Sequence, residues 1–174
     1  MSERFICRPA ETIEDMRRIV GLLGEMQREA RAAGEGLVSK VDADYARGAE
    51  EIGRVIREGA AFIVEDAETR LVVGSLGLWR RDGFWFAPDA EHFAELWFYV
   101  VKALRHGEPT TLLLEEAQGL ADATDTPVYL NLFDPHKAAK KRPGPVAIGQ
   151  RLGYFPMGRI TRFYPSAGRE QVGA

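Results

Sequence analysis

Apolar positions change period along the chain, and each change marks an element. Phe5-Ile6-Cys7-Arg8 alternates like a short strand and stops at Pro9. Thr12 with Asp15 three residues later has the form of a capping box. Ile13, Met16, Ile19, Val20, Leu23 and Met26 then follow near 3.6-residue spacing, which predicts a helix ended by Gly34-Glu35-Gly36. Gly21 and Gly24 each weaken that helix by about 1 kcal/mol against Ala, which points to close approach of another backbone there. Asp44 caps a second predicted helix with Tyr45, Ile52, Val55 and Ile56 on one side, closing at Gly59.

The pattern then turns to period two. Ala61–Glu65 and Leu71–Trp79 are strands joined by the polar turn Asp66–Arg70, hence an antiparallel hairpin. A longer connection, Arg80–Phe93, holds Phe84, Trp85 and Phe86, a cluster read as core or dimer contact before substrate wall. Leu96-Trp97-Phe98-Tyr99-Val100-Val101 is an apolar strand. A polar segment, 103–108, leads into a helix that opens at Pro109-Thr110-Thr111 and carries Leu112, Leu113, Leu114, Ala117 and Leu120. Val128–Leu132 is the next strand. A full helix separates it from Leu96–Val101, so the two run parallel through a right-handed crossover. Val146–Leu152 is a short helix stopped by Gly153, and 154–164 has strand character. The expected fold class is α/β: a single-domain mixed sheet with antiparallel N-terminal strands, a parallel central strand pair and helices on both faces. The domain is expected over 1–165, with 166–174 a C-terminal tail.

Strand, basic glycine-bearing turn, helix is the arrangement that presents main-chain N–H groups at a helix N-terminus, where partial positive charge favours an anion such as a phosphate. The turn lacks both the Gly-x-Gly-x-x-Gly and the Gly-Lys-Ser/Thr signatures, so neither a dinucleotide-binding domain nor a P-loop is expected. A net charge of −3 argues against nucleic acid and anionic membrane as partners. One cysteine, Cys7, rules out an intrachain disulfide and a cysteine-cluster zinc site and fits a reducing compartment. The three histidines have no metal-ligand spacing. No apolar run approaches a membrane span, and a cytoplasmic protein is the expectation.

In this order and at these distances, three places resemble the GNAT superfamily of acyl-CoA-dependent N-acyltransferases, across roughly Phe5 to Tyr164. Ile6-Cys7-Arg8-Pro9-Ala10 with Asp15 looks like the family's first strand and its turn into helix one. Val100 followed five residues later by Arg105 looks like its spacing at the pyrophosphate loop. Gly153-Tyr154 with Gly158 resembles its Gly-Phe turn into the last strands. The chain departs from the family pattern in three places, one being the segment Lys137 to Pro145, longer and more basic than the usual connection. After Arg105 the loop reads His106-Gly107-Glu108-Pro109-Thr110, with a single glycine, and the position of the family's acidic tyrosine is Gly149.

The resemblance implies transfer of an acetyl or other acyl group from acetyl-CoA, as co-substrate and with no metal, to a primary amine of a small molecule or peptide. It implies a splay between the two parallel strands. Val100 and Val101 would bind the pantetheine arm and an oxyanion; Arg105, His106, Gly107, Thr110 and Thr111 would hold the pyrophosphate; Asn131 would bond the cofactor arm or close its strand end. Glu95, at the start of the Leu96–Val101 strand, matches the place of a carboxylate base, and alternation puts it on one face with Trp97 and Tyr99, whose rings would raise its pKa. An exposed strand-end glutamate is the plainer reading. His136 is near a CoA-contacting position, His92 is read as a surface residue, and the basic run Lys137, Lys140, Lys141 and Arg142 as a solvated loop. Two functions stay open: an N-acetyltransferase, or a non-catalytic CoA-binding sensor or interaction module. The oligomeric state is open too, dimers being common among relatives.

Overall fold

The computed structural model describes residues 4–32, 44–83, 90–131 and 145–153. The segments 1–3, 33–43, 84–89, 132–144 and 154–174 lie outside the described residues. With them go the expectations placed on Phe84-Trp85-Phe86, His136, the basic run, Tyr154 and the tail.

Strand β1 is Phe5–Pro9, helix α1 Ile13–Ala32, helix α2 Tyr45–Glu58, strand β2 Ala60–Asp66, strand β3 Val72–Arg81 and strand β4 His92–Val100. After a single 3₁₀ turn at Lys102–Leu104 come helix α3, Glu108–Thr124, strand β5, Val128–Tyr129, and helix α4, Pro145–Arg151. The five strands lie in the order β1-β2-β3-β4-β5, antiparallel until the last pair, β4–β5, which is parallel. This is the mixed sheet expected from the sequence.

Local chemistry explains the helix ends. The Asp15 N–H donates to Thr12 Oγ1 (3.0 Å) and the Thr12 N–H to Asp15 Oδ2 (3.1 Å), the reciprocal bonds of a capping box with aspartate in the glutamate's place. The Arg47 N–H donates to Asp44 Oδ1 at the start of α2, and Gly59 ends it. The expected role of the α1 glycines is corrected. A Cβ on Gly24 would meet the Tyr45 side chain, not a backbone, and one on Gly21 would meet nothing within 4 Å.

Each face of the sheet carries its own core. On one, Phe62, Val64, Leu76, Leu78, Phe93 and Val100 pack with Leu113 and Ala117 of α3. On the other, Ala61, Ile63 and Trp97 pack with Ile19 of α1 and Ile52 and Val55 of α2. Trp97 lies flat against its neighbour strand because Gly77 leaves room for it. A Cβ there would stand 2.3 Å from the indole, whose N–H donates to buried Ser75 Oγ at 3.0 Å.

Candidate active site

Two features of β4 build the site. The first is its length. The sequence reading starts this strand at Leu96; it starts at His92, and β3 extends to Arg81 to meet it, Arg81 opposite His92. Glu95 is therefore inside the strand. The second is a bulge. Gly77 is opposite Trp97 and Leu78 opposite Glu95, so Leu96 is an extra residue on β4. A bulge breaks the two-residue alternation. Glu95 is thus carried to the face of Leu78, in the α3-side core, while Trp97 stays on the α1/α2 face. The expectation that Glu95 shares a face with Trp97 and Tyr99 is corrected by this one inserted residue.

The parallel ladder between β4 and β5 is short. Phe93 pairs with Val128 and Ala94 with Tyr129, and the pairing ends there. Of the strand predicted over Val128–Leu132, β5 takes Val128–Tyr129, Leu130 and Asn131 fall outside it, and Leu132 lies outside the described residues. Among the described residues, β4 continues beyond Ala94 with β3 alone. The Val101 N–H donates to Val73 O (2.9 Å), so alternation turns the N–H groups of Phe98 and Val100 away from β3, toward the β5 side. Val101 therefore has its amide committed to the sheet, and Val100 is the residue whose amide faces the divergence.

Glu95 stands where the strands part. Its Oε2 accepts the Asn131 N–H at 2.6 Å. Burial raises the Glu95 carboxyl to about 7 and outweighs the opposing effect of that hydrogen bond. A carboxyl at that value is shared between its two protonation states near neutral pH, which suits proton transfer.

At the far end of β4 lies the loop. Arg105 Nε donates to Val100 O (3.1 Å) and Nη2 pairs with Glu29 of α1 (2.6 Å), with the guanidinium 5.2 Å above the Tyr99 ring. The Tyr99 hydroxyl is pushed up to about 12, first by burial and then by the Glu29 charge. The Gly107 N–H donates to Leu104 O, and Thr110 Oγ1 donates to Arg105 O at 2.7 Å. Those two donors are committed within the loop. The main-chain N–H groups of His106 and Glu108 have no backbone acceptor among the described residues. Gly107 caps α3 without a side-chain hydrogen bond, and His106 Nδ1 is buried with no partner. A buried, orphaned ring nitrogen beside two unpaired amides at a helix start is an arrangement that fits an anionic group. Thr111 is on the first turn of the same helix, half-buried, and Asn131 is exposed, joined to the site through its main chain.

Gly149 lies on α4 and is buried, so this position offers no hydroxyl. His92 is 6% exposed and edge-on to Tyr129, which corrects its reading as a surface residue. Cys7 is partly buried, and burial pushes its thiol up to about 12, in keeping with an inert small hydrophobe. Sequence reading missed Glu29. Its signal was weak, one acid among several on an exposed helix face, and only folding sets it against Arg105.

No family model matches the chain, and no curated protein matches it in sequence. Solved structures do match in fold. AAC(6')-Iy, in complex with the bisubstrate analogue CoA-S-monomethyl-acetylneamine, is similar at a TM-score of 0.62 and 12% identity, covering 94% of this chain and 99% of that one. A predicted acetyltransferase with acetyl-CoA from Clostridium acetobutylicum is similar at 0.61 and 8%, covering 92% and 96%. The aminoglycoside antibiotic 6'-N-acetyltransferase AAC(6')-Ih from Acinetobacter baumannii is similar at 0.60 and 12%, covering 92% and 97%.

Proposed function

We propose that this chain, a protein of the GNAT fold, transfers an acyl group from acyl-CoA to a primary amine. The observation that carries the reading is the parting of β4 and β5 after Ala94, with a proton-ready carboxyl, Glu95, at the point of divergence. The carrier would supply an acyl thioester. The residues of this chain would do the rest. The His106 and Glu108 amides and His106 Nδ1 would hold its phosphates, with the Thr111 hydroxyl alongside. Arg105 joins them only by exchanging Glu29 for a phosphate oxygen. The gap-side amides of Phe98 and Val100 would bond the extended arm and favour negative charge on the acyl oxygen. Glu95 would take a proton from the acceptor's ammonium, directly or through water, so that the neutral amine attacks the thioester carbon, the C–S bond breaks and CoA leaves as the thiol.

A second reading, a CoA-binding sensor without turnover, is favoured by two observations. Gly149 leaves the departing sulfur without a tyrosine hydroxyl at that position, and Gly107 and Thr110 already use their donors inside the loop. Acetyl-CoA with a panel of primary amines, aminoglycosides included, separates the two. Thiol release that falls about 10²- to 10⁴-fold in Glu95→Gln supports the enzyme. Binding of acetyl-CoA without release on any amine supports the sensor, and absence of binding sinks both.

A further inference from the structure

We propose that Glu95 is also the wedge that keeps β4 and β5 apart. A parallel ladder that had run on from Ala94 opposite Tyr129 would bring residues 95 and 96 beside 130 and 131. The Asn131 N–H would then bond a β4 carbonyl. It bonds the Glu95 carboxylate instead, at 2.6 Å. A side chain thus takes the place of a main-chain acceptor, and the ladder has no donor at its next rung.

The substitution satisfies one amide beyond β5 and leaves donors of β4 open. Asn131 keeps a partner for its amide, so β5 pays no penalty for leaving the sheet. On the other side, Phe98 and Val100 keep their amides pointing at the space so created. Among the described residues, the next β4 carbonyl with a partner on this side is Val100 O, held by Arg105 Nε at 3.1 Å. Two side chains therefore answer polar groups that the continued ladder would pair: Glu95 takes the Asn131 N–H, which would meet β4, and Arg105 takes Val100 O, which would meet the continuation of β5. The rival cause of the divergence is the bulge at Leu96, which turns β4 by itself.

The acyl-CoA reading is needed only for the consequence of this wedge, not for its geometry. The test accordingly reads strand separation directly. In the full chain, an NMR cross-strand contact between the Leu96 Hα and the Asn131 amide proton reports closure. Wild type and Glu95→Gln, whose amide oxygen still accepts from Asn131, are expected to lack it. Glu95→Ala is expected to show it. Glu95→Asp keeps the charge but ends one methylene short, about 1.5 Å, so its carboxylate falls outside hydrogen-bond range of Asn131 and the strands close there too. The aspartate variant decides the matter if the alanine variant does not fold. CoA affinity, measured on the same four proteins, is expected to be unchanged in Gln and at least about 10-fold weaker in Ala and Asp, a split that simple loss of a base does not produce. Strands that stay apart in Asp or Ala assign the divergence to the bulge and overturn the wedge, as does closure in Gln. Wild type that binds no CoA defeats the acyl-CoA reading, and the strand contact still decides the wedge.

Discussion

A single carboxyl, Glu95, links stability to chemistry at the scale of the residue. Burial raises it to about 7 from an ordinary 4.5. The folded state therefore holds its proton over a range where the unfolded chain has lost it. The stability this contributes is complete below the unfolded value and is lost as pH rises through about 7. Glu95→Gln, which stays neutral, should be more stable than wild type by on the order of 2–3 kcal/mol at about pH 8 and equal to it at about pH 4. Thermal melts at the two pH values check this, and equal differences at both would contradict the burial. In the enzyme reading, kcat/KM for the amine should rise with pH through the same value, and the variant should lose that inflection.

The charged network under α1 has the opposite sign. Arg8 pairs with Asp15 (2.7 Å) and Glu65 (2.6 Å), both almost fully buried, and Arg18 reaches Glu65 at 3.0 Å. Hydrogen bonding to Arg8 holds the Asp15 carboxyl well below its ordinary range. At Glu65 burial pushes upward, and hydrogen bonds from Arg8 and Arg18 outweigh it. Depressed carboxyls contribute stability above their unfolded values and lose it as pH falls through the folded ones. Arg8→Met leaves two buried carboxylates with Arg18 and, at Glu65, the exposed Arg70 (3.4 Å), and should cost about 3 kcal/mol near neutrality. The cost should shrink in acid, as denaturant titrations at several pH values would show.

Among elements, the paired strands β3 and β4 are locked together by one close contact. Trp97 crosses Gly77 so closely that a methyl group overlaps its ring, and the indole N–H is held by Ser75. Gly77→Ala should force Trp97 out of place and destabilise by about 1–3 kcal/mol or more. Near-UV circular dichroism of the tryptophan should change with it, and an unaltered spectrum would show that the ring yields without cost. Because the bulge at Leu96 is the next step of the same strand, displacing Trp97 should also disturb the site.

At the scale of the molecule, the described residues form two cores on one sheet, with the candidate site where β4 and β5 part. A ligand held there binds the folded state alone. Acetyl-CoA at about 100 times its dissociation constant should add about 2.7 kcal/mol of stability. Differential scanning calorimetry with and without it measures this, and an unmoved transition would leave the cleft without its expected occupant.

Much of this was open to view in the chain itself. The capping box at Thr12 and Asp15, the Asp44 cap, the glycine stop at Gly59 and the change from period 3.6 to period two are local events, so neighbouring residues determined them. The parallel direction of β5 followed from the helix between it and β4. Glu95 was visible as a carboxyl in an apolar strand. Its face, its partner and the shortness of β5 were not. They depend on one inserted residue, Leu96, and on an amide 36 residues away in sequence, and pattern along a chain carries no record of register between strands. Arg105 likewise appeared as a cation beside a helix start, but the choice of Glu29 as its partner belongs to the docking of α1. Sequence alone specified elements and their order, because those follow from local periodicity and capping. Tertiary structure decided which polar groups meet in the opening, because contacts between distant segments exist only once the sheet and its two cores are assembled.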